Sequence, residues 1–149
     1  MTATTTEIVA TNCVILLDNA ANVLTDISGS LNSVKFSPKN GIAEWRVFGD
    51  QWKSRKVVGK DMPVSIHAIF TTAAAEAAQL TQGWFFGGND SPRSLMIDVP
   101  DSQVGAFRLY GEFVLDSYDV SLDSEADDVV YVDIELLPDG EVQFATVAT

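Results

Sequence analysis

The stretch VGAFRLYGEFVLD (104–116) decides the fold. Phe107, Leu109, Phe113 and Leu115 share one parity, and Arg108, Tyr110, Glu112 and Asp116 share the other. A period of two is that of a strand with one face in a core and one in water. VVYVDIELL (129–137) repeats the pattern, with Val130, Val132, Ile134 and Leu136 inward and Tyr131, Asp133 and Glu135 outward. MPVSIHAIF (62–70) does so again through Val64, Ile66, Ala68 and Phe70. Further strands are predicted over 13–17 (CVILL), 93–99 and 141–147, while 42–48 is a strand or an extended arm. Residues 27–36 (ISGSLNSVKF) alternate as one strand whose phase slips at Asn32-Ser33, which predicts a bulge. Turns are predicted at Asp18-Asn19, at Ser37-Pro38-Lys39-Asn40-Gly41 and at Pro138-Asp139-Gly140, where Pro fixes its own φ and Gly accepts a left-handed one.

One helix interrupts the strands, over 71–83. Its Ala-rich sequence TTAAAEAAQLTQ favours helix, Thr71 or Thr72 can cap its start, and Gly83 offers a stop. Ala73, Ala77, Leu80 and Trp84 form a narrow apolar stripe that would lie close against a sheet. The sum is a mainly β, mostly antiparallel α+β domain with one helix against it.

At 149 residues the chain fits a single domain, 1–149. Its net charge of −12 argues against general binding of nucleic acid and against an anionic membrane surface. The single cysteine, Cys13, excludes an intrachain disulfide and sits in an apolar strand as a core residue. Residues 1–12 lack a basic region before an apolar core, so no signal peptide is expected, and they read as a flexible amino-terminal arm. These features point to a soluble acidic chain of intracellular or particle origin.

The charges are sorted along the chain. Seven of the nine basic residues fall between Lys35 and Lys60, whereas residues 112–141 carry eleven carboxylates and no cation. Such sorting suits copies that meet head to tail, the basic stretch of one against acidic surface of the next. Residues 48–61 read as a long basic loop containing Trp52. Its KSRK run (53–56) could be a phosphate patch or a solvated loop, but on an acidic chain a contact between subunits fits better. Trp45, Trp52, Lys53, Arg55 and Lys56 are the candidate contact residues, since aromatics beside arginine typify interface anchors.

No constellation points to catalysis, a metal or a cofactor. The acidic run 123–128 starts like an EF-hand loop, but its sixth position is Asp128 and its twelfth is Ile134, where Gly and Glu are needed; it reads as a solvated loop. His67 is the only histidine, in a strand with no partner spacing for a metal or triad. Gly87-Gly88 lacks the lysine of a phosphate-binding loop.

The order of segments resembles the major tail tube proteins of long-tailed bacteriophages. The matching pieces are LTDISGSLNSVKF (24–36), FGDQWKSRKVVGKDMPVSIHAIF (48–70), the Ala-rich helix with Leu80 and Trp84, and residues 93–142 with YGEFVLDSY and LPDG. The resemblance implies a β-sandwich or barrel-like pair of antiparallel sheets with a flanking helix. It implies hexameric rings of this one chain, stacked head to tail into a hollow tube that passes the genome into the host. The loop 48–61 and the arm 1–12 would contact the next ring. Tape measure, terminator and tail tip proteins would be its partners in the virion tail, assembled from subunits in the host cytoplasm. Double-stranded DNA would pass without specific binding, along a lumen for which Asp133 and Glu135 are candidate lining residues. Alternatives are another ring-forming tail part, such as a terminator or tail-tip hub, or a non-catalytic carbohydrate-binding or adhesive β module.

Overall fold

The computed structural model describes residues 13–73, 76–88, 90–99, 105–122 and 130–147. The amino-terminal arm 1–12 and the acidic run 123–128 lie outside them. Alternating sequence becomes alternating burial: in β6 (Val64–Ile69) and β9 (Tyr131–Pro138), Val64, Ile66, Ala68, Val132, Ile134 and Leu136 are buried and their neighbours are not.

The remaining strands are β1 (Val14–Asp18), β2 (Leu24–Asp26), β3 (Leu31–Phe36), β4 (Lys39–Trp45), β5 (Ser54–Asp61), β7 (Arg93–Val99), β8 (Phe107–Ser121) and β10 (Gln143–Thr146). Eight of them form one antiparallel sheet, β2-β1-β7-β8-β9-β6-β3, with β10 also on β8. β8 belongs to two wings. Its first half pairs with β7 on one side and β10 on the other, and its second half pairs with β9. A register shift between Leu115 and Ser117 bends it. The wings share one core: Leu17, Leu95 and Leu109 belong to the same buried cluster as Ile66 and Ile134. The fold is thus a sandwich-like pair of sheet wings with one helix.

Three sequence expectations shift. The strand expected over 27–36 is broken by a 3-10 turn at Ser28–Ser30. There Ser28 N–H donates to Asp26 Oδ1 (2.9 Å), and Ser28 Oγ accepts from Ile15 N–H (2.8 Å). The expected bulge is present, as a register shift between Leu31 and Ser33.

The helix, α1, spans Ala77–Phe86 and not 71–83. Ala73 is exposed outside it, and Ser30 Oγ accepts the Ala77 N–H at 3.2 Å. Gly83 fails as a stop because Trp84 holds the next turn: its indole N–H donates to Ser91 O (3.1 Å) and Arg93 lies 5.0 Å over its ring. Glycine costs a helix about 1 kcal/mol, whereas burying roughly 200 Å² of aromatic surface contributes about 5 kcal/mol.

The turn expected at 37–41 is not a turn either. Phe36 faces Val64 and Lys39 faces Asp61 in one unbroken register, bridged by Ser37 N–H donating to Pro63 O (3.0 Å). The β4–β5 hairpin therefore prolongs the β3–β6 pair. Pro38 and Pro63 have no N–H to give, so the ladder lapses there and β4–β5 forms a separate two-stranded sheet.

Two arginines tie the first wing. Arg108 reaches the fully buried Asp98 through Nε (2.8 Å) and Nη2 (3.0 Å), and that hydrogen bond raises its pKa. Arg93 Nη1 donates to Asp18 O and Leu80 O; burial lowers its pKa, while the charge of Asp18 acts the other way.

Phe113 is fully buried where β8 passes between wings. Phe113→Ala is expected to lower the unfolding free energy by about 3–5 kcal/mol, read as a shift of the urea midpoint; an unchanged midpoint would refute its place in the core.

Candidate functional site

Two surfaces gather the residues singled out by the sequence: the β4–β5 arm and the outer face of the second wing. The stretch 48–61 is not one loop; Ser54–Asp61 is strand, and only 46–53 joins it to β4. The arm holds six of the cations, Lys39, Arg46, Lys53, Arg55, Lys56 and Lys60, against Glu44, Asp50 and Asp61.

Register divides the arm into two faces. Ile42 opposite Val57 and Glu44 opposite Arg55 share one; Ala43 opposite Lys56 and Trp45 opposite Ser54 share the other. The candidate contact residues are therefore split. Arg55 lies on the other face from Trp45 and Lys56, while Trp52, with Val47 and Phe48, stands exposed near the tip. Sequence reasoning missed Glu44, the residue that organises the first face. Arg55 Nε donates to its Oε1 at 2.9 Å and Lys53 Nζ lies 3.5 Å from Oε2. Arg55, by hydrogen bond and then by charge, with Lys53 adding, holds Glu44 below the ordinary carboxylate value. Lys53 and Arg55 are thus engaged within the chain, whereas Arg46 and Lys56 form no ion pair among the described residues. A period-two reading of 39–45 gives the face of Glu44, but its pairing with Arg55 is set by the β4–β5 register.

The second surface is the side of β3-β6-β9-β8 turned away from the core. Side chains directly opposite share a face, and the registers set them in rows. Lys35, Ser65, Glu135 and Ser117 form one row; Ser33, His67, Asp133 and Asp119 form the next. Ser65 Oγ donates to Glu135 (2.8 Å), and His67 Nδ1 lies 2.6 Å from Asp133 Oδ1. Tyr131 stacks on His67 with centroids 4.7 Å apart. Asp119 stands opposite Asp133, a like-charge pair that costs stability. Asp133 and Glu135 are thus together on one exposed, acidic face, fixed by β6. Asp119 was missed because the bulge at 115–117 changes the parity of β8.

The described residues contain no group of three His, Cys, Asp or Glu placed to hold a metal, and no helix among them is long and apolar enough to cross a membrane.

Because Glu44 is depressed, its pairing stabilises the arm above its unfolded pKa and is lost as pH falls through its folded one. The Glu44 carboxyl carbon, followed by NMR, is expected to titrate below the ordinary glutamate range, and Arg55→Ala should return it upward; no movement in that variant would disprove the clamp.

No protein-family model and no curated protein matches this sequence. Solved structures do match it. A chain in the tail of an empty gene transfer agent particle, with C6 symmetry, superposes with a TM-score of 0.69 at 16% identity, over 90% of this chain and 96% of its own. A chain of the SPP1 tail tube gives 0.65 at 13% identity, over 94% and 80%. One in the tube-terminating cap of the anti-feeding prophage gives 0.69 at 12% identity, over 98% and 95%. At such identities the likeness establishes the fold that these chains share.

Proposed function

We propose that this chain is the structural subunit of a phage-type tail tube, acting without catalysis or cofactor. Copies close into hexameric rings, and rings stack head to tail into a hollow tube in the virion tail through which double-stranded DNA passes into the host. Tape measure, terminator and tail tip proteins are its other partners, and it gathers from the host cytoplasm. The observation that carries this reading is the second wing, which ends in two unlike open edges. Among the described residues β3 has no partner beyond β6, and β8 has none on its β7 side past Phe113. An open strand edge is a ready joint for another chain. Because the edges differ, joining them is heterologous and closes into a ring only at the right rotation. Their charges also differ: Lys35 lies on β3, and Asp116 and Asp119 on β8.

A continuous sheet built this way turns its outer rows inward. Asp133, Glu135 and Asp119 then line the lumen, and their repulsion of phosphate prevents the counterion-releasing contacts that would hold DNA. The arm makes the contact between rings, with Trp45 and Lys56 on one face, Lys53 and Arg55 on the other, and Trp52 near the tip. A second reading, a terminator that stops at one ring, is favoured by the likeness to a chain of a tube-terminating cap.

Negative-stain microscopy of the purified protein separates monomer, single ring and tube. Tubes are expected; single rings alone would support the terminator, and monomers at every concentration would sink both readings. K53E/R55E/K56E should retain the native fold by circular dichroism and lose stacking, since each weak exposed contact, about 0–1 kcal/mol, recurs around every ring. Normal tubes from that variant would remove the arm from the ring contact.

A further inference from the structure

The wing β3-β6-β9-β8 carries a charge conflict that one chain leaves unresolved. Asp119 on β8 stands directly opposite Asp133 on β9, a like-charge pair. Asp133 is engaged from its other side by His67, at 2.6 Å. Asp119 is exposed and forms no ion pair among the described residues. At the opposite edge, Lys35 is the only charged residue of β3. It too is exposed and forms no ion pair among the described residues. Both side chains belong to the outer face: Lys35 in the row of Ser65 and Glu135, Asp119 in the row of His67 and Asp133. Three strand spacings, roughly 14 Å, separate the two edges of one chain, too far for the pair to form within it.

We infer that Lys35 of one copy pairs with Asp119 of the next, and that this pair sets the register of the joint between them. The inference rests on the tube reading in one respect, that the neighbour is another copy joined edge to edge. Strand direction supports it. β3, β6, β9 and β8 alternate, so β3 and β8 run oppositely. Rotation about an axis roughly along the strands sets the next copy's β3 beside β8 without reversing it. The joint is then antiparallel, like the three within the wing, and Lys35 and Asp119 share its face. Register narrows the choice further. With Lys35 opposite Ser117 each row would close on itself, whereas a closed sheet needs tilted strands and a staggered register. One row further sets Lys35 opposite Asp119 and Ser33 opposite Ser121. One row the other way runs into the shift between Leu115 and Ser117. Asp116, the other carboxylate of that edge, lies inside the shift and has no residue opposite it on β9. Lys35 thereby offsets the repulsion between Asp119 and Asp133 in the joined copies.

The test is a charge swap, read by sedimentation velocity and negative-stain microscopy. Lys35→Asp and Asp119→Lys are each expected to weaken a joint about fivefold, and a closed ring multiplies that loss over all its joints. The urea midpoint of Asp119→Lys should not fall, because the substitution removes the repulsion from Asp133. The double variant K35D/D119K should assemble as the unsubstituted protein does. Unchanged assembly of both single variants, or no recovery in a folded double variant, overturns the pair. Disulfide trapping reads the register with both charges kept. In a Cys13→Ser background, Ser33→Cys with Ser121→Cys is expected to give a ladder of dimers, trimers and larger species on a non-reducing gel. Either cysteine alone should leave monomer. No ladder from the double variant, or an equally strong dimer from one cysteine alone, overturns the register. Imaging the unsubstituted protein in parallel separates the two readings. Tubes or rings with neither ladder nor recovery remove the pair and leave the tube; a ladder without tubes or rings keeps the pair and removes the tube.

Discussion

The bend in β8 is the constraint on which the rest of the structure depends. A fifteen-residue strand with strict alternation would keep one face toward the core and build one open sheet. The shift between Leu115 and Ser117 turns the strand, so β7 and β10 pair with its first half and β9 with its second. Both wings can then bury their apolar faces against each other. Gly111 sits close to Val142; a Cβ there would come within 3.2 Å of its side chain, a contact tight enough that Val142 would have to shift. The same bend leaves the second half of β8 without a partner on its β7 side, which creates one of the two open edges. Core formation and the open edge thus follow from one irregularity.

The arm is separated from the body by chemistry rather than by a loop. Pro38 and Pro63 interrupt a ladder whose register continues on either side of them. A two-stranded ribbon is marginally stable by itself in water. Here it is held by its pairing, by the Glu44 clamp and by the bond from Lys60 Nζ to Asn40 Oδ1 (3.2 Å), all of them exposed. Its exposed apolar residues, Ile42, Trp45, Val57 and Val58, gain little in the isolated chain. In the proposed tube they gain a partner surface, and the cations around them meet a body whose charge is opposite.

On the outer rows of the second wing, stability gives way to charge. Asp119 opposite Asp133 is unfavourable within one chain. His67 and Ser65 compensate in part by fixing Asp133 and Glu135 from the neighbouring strand. In the proposed tube the two carboxylates would face a passing polyanion, which would give the arrangement a use.

Much of this was determined by the sequence itself. Period-two alternation marked β6, β8 and β9 and most of their buried residues, because side-chain parity depends on the backbone alone; Phe107, expected on the core face, is exposed at the start of β8, and Leu115 is half-buried. The slip at Asn32 marked a bulge, and the segregation of basic and acidic residues marked two unlike surfaces. Other features were decided only by the tertiary structure. Trp84 carries α1 past Gly83 because its burial against Arg93 outweighs a local helix stop. Lys39 and Gly41, which read locally as part of a turn, lie in a continuing hairpin because Asp61 and Gly59 stand across from them. The row that sets Asp119 beside Asp133 and His67 depends on the register of three strands distant in sequence. Local pattern fixes which way a side chain points; which residues it then meets is set by pairings between distant strands, and no single segment encodes those.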